Sequence, residues 1–107
     1  MNGELLKGHL DLLLLAVVAD RPAHGYAIVE ALAERSGGAF DLPEGTVYPA
    51  LHRLERAGLL SSHWTMAGGR RRRVYAITPA GREVMQVRGR EWQAFAAGIQ
   101  AVLEGTA

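Results

Sequence analysis

Apolar residues recur at helical spacing from Leu5 to Val18, with Leu6, Leu10, Leu13, Leu14 and Val17 on one stripe and Leu5, Leu12, Leu15 and Ala19 on another. The second half of this helix is apolar almost all round, which demands burial on two sides. In a chain of 107 residues the second side is expected to be a partner protomer, and Asp20-Arg21-Pro22 ends the helix. A second amphipathic helix, from about His24 to Ser36, turns Ala27, Ile28, Ala31 and Leu32 inward and Glu30, Glu34 and Arg35 outward before Gly37-Gly38. A third, from near Glu44 to Ala57, carries the core stripe Val47, Leu51 and Leu54 and stops at Gly58. Its start is open: Pro43 is the first helical residue, or Thr46 caps the end and leaves Pro49 in the first turn.

The period then drops to two. Leu60 to Thr65 and Val74 to Thr78 read as short strands, joined by Met66 to Gly69 and the run Arg70 to Arg73 as a hairpin with a glycine turn and a basic tip. Thr78-Pro79 opens a last helix that reaches about Leu103, along which Trp92, Phe95, Ile99 and Val102 form the seam of a short coiled coil. Three helices, a hairpin and a long helix make a mainly α protein with a small β-hairpin (α+β), in the order of a winged helix-turn-helix with an appended dimerisation helix. Residues 1–78 are the expected DNA-binding unit, 79–104 the helix packed on it, and 105–107 a tail.

Charge sharpens this picture. The net value is +1, yet residues 45–90 hold nine basic and two acidic side chains while residues 1–44 hold three and seven. A basic middle of this kind is the footprint of a nucleic-acid-binding segment. There is no cysteine, so disulfides and thiolate sites are excluded. The four histidines are scattered without metal-binding spacing, and no nucleophile triad, phosphate loop or paired-carboxylate pocket is evident, so neither an enzyme nor a cofactor is expected. The run Leu12 to Ala19 is too short to span a bilayer, and Met1 to Lys7 lacks the features of a signal peptide; a cytoplasmic protein without membrane contact is expected.

Four runs occur in order: His24-Gly25-Tyr26, Glu44 to Glu55 (EGTVYPALHRLE), Gly68 to Arg73, and Ile77 to Gly81 (ITPAG). Together they resemble the signature segments of the PadR family of transcriptional regulators, and the single last helix is similar to its short subfamily. The resemblance implies a homodimeric repressor on an operator of double-stranded DNA. The residues themselves fit that role. With its apolar stripe inward, the third helix presents Thr46, Tyr48, Pro49, His52, Arg53 and Arg56 to a major groove. Arg70, Arg71, Arg72 and Arg73 suit phosphates or a narrow minor groove. His24 and Tyr26 stand at a helix start that favours an anion, and Lys7 adds a phosphate contact.

Dimerisation is expected from Leu5, Leu12, Leu15, Trp92, Phe95, Ile99 and Val102. The resemblance further implies that an aromatic residue of the last helix meets its two-fold mate beside a pore for flat compounds. That reading gives Trp92 and Phe95 to an effector, a small planar aromatic molecule. A metal ion held by His and carboxylates is the alternative effector, and a winged-helix protein-interaction module without DNA binding is the rival from a different class.

Overall fold

The computed structural model describes residues 6 and 8–105. Leu5 and Lys7, expected in the dimer and at a phosphate, lie outside them. The elements are α1 (Leu10–Asp20), β1 (Ala23–His24), α2 (Gly25–Arg35), α3 (Glu44–Arg56), β2 (Leu60–Ala67), β3 (Arg70–Ile77) and α4 (Pro79–Glu104). The strands form one antiparallel sheet in the order β1-β3-β2.

A turn precedes the helix that carries Leu10 to Asp20. Gly8 adopts φ +88°, and the His9 N–H donates to the Leu6 carbonyl to close a turn before Leu10. From there α1 runs through the middle of the molecule, touching α2, α3, β3 and α4. Its all-round apolar surface is therefore largely consumed by its own chain: Leu14, Leu15, Val17 and Val18 are buried. Leu15 is fully enclosed, which corrects its assignment to the dimer surface; Leu12 keeps partial exposure. Ile28 and Leu32 of α2, Val47, Ala50, Leu51 and Leu54 of α3, and Leu60 and Tyr75 of the sheet complete the core.

Helix α3 starts between the two alternatives the sequence left open. Pro43 is the N-cap, its carbonyl accepting from the N–H groups of Thr46 and Val47, while Thr46 is already helical and exposed. Pro49 sits inside the helix, where it removes the bond to the Gly45 carbonyl; both residues are exposed, so water can take that acceptor.

The hairpin is longer than its period-two pattern indicates. Pairing runs from Leu60↔Ile77 to Ala67↔Arg70, leaving only Gly68 and Gly69 in the turn, with φ +57° and +76°. Positive φ at both central residues is the two-residue turn whose twist matches paired strands. The four arginines are thus strand residues and not a loop tip, which corrects the sequence reading. They alternate, Arg71 and Arg73 sharing a face with Trp64 and Tyr75, and Arg70 and Arg72 lying on the other.

Thr78 caps α4 through its side chain, which accepts from the Gly81 N–H at 3.0 Å. Gly81 lies so close to the Leu59 carbonyl that any Cβ would overlap it. Val84 and Met85 still reach the core, whereas Trp92, Phe95, Ile99, Val102 and Leu103 are exposed.

Candidate nucleic-acid interface

An open cleft of about 610 Å³ separates the N-terminal ends of α2 and α3 from the β2–β3 hairpin. His24, Tyr26, Tyr48, His52, Trp64, Arg70, Arg72 and Arg73 contribute to its walls. Tyr26 and His52 are exposed there. Tyr48 is half-buried with its ring against the backbone of Gly25, and burial, followed by the charge of Glu44 and the proximity of Tyr26, raises its phenol pKa. The phenol therefore stays protonated and can donate to a phosphate or a base edge. Beyond the cleft, Thr46, Pro49 and Arg56 continue the exposed face of α3.

Arg53 departs from that set. It makes an ion pair with Asp11 of α1 at 2.8 Å, which holds its guanidinium pKa up, and it lies on the edge of α3 away from the hairpin. There it helps line a second groove, of about 820 Å³, with His9, Asp11, Leu12, Arg88, Glu91, Trp92 and Phe95. Arg53 therefore stands outside the cleft, with one guanidinium nitrogen engaged by Asp11 and the rest of its side chain exposed.

The four hairpin arginines divide into two pairs. Arg70 and Arg71 are exposed. Arg72 Nη1 lies 2.8 Å from His24 Nε2, and since a guanidinium only donates, the contact is a bond to the ring nitrogen as acceptor. The Ala27 N–H approaches Nδ1 of the same ring at 3.4 Å, a long cap contact at the start of α2. Arg73 Nε donates to Ser62 Oγ at 2.7 Å, Ser62 donates to Glu55 at 2.6 Å, and Arg73 Nη2 lies 3.3 Å from both Glu55 oxygens. The Ser62 hydroxyl chiefly, and then Arg73, hold the Glu55 carboxyl below the usual carboxylate range. Arg72 and Arg73 thus fix the hairpin to the body, and Arg70 and Arg71 are the pair left open to a polyanion.

Sequence reasoning missed Glu55 and Ser62. Glu55 passes for a solvated helix residue, and the hint against this is its position one residue after Leu54, on the edge of α3 that turns toward β2. Trp64 shares a strand face with Leu60 and Ser62. That face leaves the core at the hairpin, however, so Trp64 is 54% exposed, with Arg71 and Arg73 centred 4.5 and 5.4 Å from its ring. Among the described residues no three His, Asp or Glu side chains converge to hold a metal ion, and no helix is long and apolar enough to cross a membrane.

The sequence model of the PadR-like family of transcriptional regulators matches residues 14–87. The chain belongs to this family. Transcriptional regulator Rv3488 of Mycobacterium tuberculosis is 39% identical over 82 residues, 77% of this chain and 74% of that protein. Among solved structures, a PadR family regulator from Eggerthella lenta superposes with a TM-score of 0.81 at 35% identity, covering 94% of this chain and 87% of that one. One from Clostridium difficile gives 0.80 at 30%, covering 90% and 99%. The PadR match spans every cleft residue from His24 to Tyr75 and ends before Trp92 and Phe95. As a PadR-family regulator, the chain has relatives that are regulators and not enzymes.

Proposed function

We propose that this PadR-family regulator is a homodimeric repressor that binds a pseudo-palindromic operator, one α3 in each of two major grooves, and leaves it when an effector changes the angle between the protomers. The observation that carries the reading is the cleft itself, in which Tyr48 and His52 of α3 meet Tyr26 of α2 and Arg70 of the hairpin. Exposed Pro49 and Arg56 extend α3 beyond it, and Arg71 is exposed on the opposite face of the same strand. Base edges and phosphates of one duplex are the ligands that such an arrangement suits.

A mobility-shift titration on the DNA upstream of the chain's own gene tests it. His52→Ala is expected to weaken specific binding more than non-specific binding. Replacing Arg70 and Arg71 by alanine should weaken both and flatten the salt dependence by about 0.9 in log–log slope per lost phosphate contact. Failure to bind duplex, or a salt slope unmoved by the arginine changes, would overturn the reading.

The exposed seam of α4 supports the dimer, since Trp92, Phe95, Ile99 and Val102 leave a contiguous apolar stripe open on one helix, the kind of surface that marks an association site. Sedimentation at micromolar concentration should show a dimer; a folded monomer there would refute it. Trp92 and Phe95 border the groove beside α1, which suits a flat apolar effector. A planar aromatic ligand is expected to quench Trp92 fluorescence saturably, with the response lost in Trp92→Ala.

A further inference from the structure

Trp64 is the one large aromatic side chain of the hairpin that the core does not claim. It is more than half exposed on β2, beside an Arg71 that is itself exposed. Arg71 has its guanidinium carbon 4.5 Å from the ring centroid, a distance at which the cation is attracted by the π-face. On the inner side the indole approaches Arg73, 5.4 Å from its centroid, and Arg73 is tied through Ser62 to Glu55 of α3. A continuous ladder of contacts therefore leads from α3 outward: Glu55, Ser62 and Arg73, Trp64, Arg71. Its inner rungs are hydrogen-bonded. Its outer rung places the Arg71 guanidinium over the π-face of Trp64, and a guanidinium has five N–H donors to offer an anion.

We infer that Trp64 is a positioning residue for DNA binding: it holds Arg71 in a set orientation so that its N–H edge meets a phosphate of the duplex, and it ties that orientation to α3 through Arg73 and Glu55. This rests on the reading of the hairpin as a DNA contact. An arginine side chain carries considerable rotamer freedom, and restricting it before binding reduces what the duplex must order. No bond to a base is required of Trp64, so the gain is independent of sequence.

Two measurements on the full chain test this. In the free protein, the Arg71 Nε–H proton should resonate upfield through the ring current of Trp64 and return to the ordinary arginine position in Trp64→Leu, while the amide spectrum of the hairpin stays paired. In duplex titrations, Trp64→Leu should weaken binding about two- to fivefold per hairpin, the size of one exposed cation–π contact. Trp64→Phe should recover most of that loss. Arg71→Ala added to Trp64→Leu should cost much less than Arg71→Ala alone, because the two residues act as a unit. An unshifted Arg71 resonance overturns the proposal, as do losses that multiply as if independent or undiminished duplex binding in Trp64→Leu. A wild-type chain that binds no duplex would overturn the reading of the hairpin along with it.

Discussion

Gly25 stands where it does because of the Tyr48 ring. A Cβ placed there would lie 2.7 Å from Cε1 and 3.0 Å from Cζ of Tyr48. Both distances are inside van der Waals contact, so a methyl group must push the phenol toward the cleft. Gly25→Ala is therefore expected to destabilise the fold by about 1–3 kcal/mol, as overpacking does, and to lower specific DNA affinity through the displaced Tyr48. At Gly45, the second residue of α3, a methyl group would meet nothing within 4 Å, so alanine should be tolerated there without loss. Thermal melts and duplex titrations of the two variants check the contrast. From the sequence, His24-Gly25-Tyr26 marks a helix start and nothing more. That the approaching group is a tyrosine from another helix is a fact of packing, which no local spacing encodes.

Helices were legible along this chain because a 3.6-residue apolar period survives whatever neighbours surround it; Ile28 with Leu32, and Val47 with Leu51 and Leu54, all turn inward as their spacing requires. The hairpin was harder to read. Arginine is no signature of a strand, so Arg70 to Arg73 passed for a loop, although the Gly68-Gly69 turn sets a register that pairs all four. Two-residue β1 offers no period at all. The sheet's tie to α3 was equally hidden, because Glu55 and Ser62 gain meaning only once β2 is folded against the helix. That tie predicts a pH response. The folded-state pKa of Glu55 lies below its ordinary value of 4.5, so its contribution is fully present above that value and is lost as pH falls through it toward the depressed one. Wild-type stability should accordingly decline more steeply than that of Glu55→Gln as pH falls below 4.5. Parallel denaturation curves for the two proteins would show that Ser62 and Arg73 do not favour the ionised form.

The molecule is elongated, 59 × 27 × 21 Å, because α4 runs about 39 Å at the standard rise and leaves the core near Val87. Its apolar seam was readable in the sequence. The fate of the α1 surface was not, since only the assembled protomer shows Leu15 enclosed by its own chain. At this scale the paired arginines of β3 carry a consequence for the protein without its ligand. Same-face neighbours, Arg70 with Arg72 and Arg71 with Arg73, are two strand residues apart, about 7 Å, which is within the Debye length of about 8 Å at physiological salt. Like charges so placed repel, and folding the hairpin concentrates that repulsion. Added salt should thus act with opposite signs on the two properties of this surface, relaxing the hairpin in the free protein while loosening its hold on DNA. Compared with a variant carrying Arg70→Gln and Arg71→Gln, the wild type should gain more in melting temperature between low and moderate salt; equal gains would mean the strand bears no such strain. The hairpin is then an electrostatic spring, compressed when the chain folds alone and released by whichever polyanion first neutralises it.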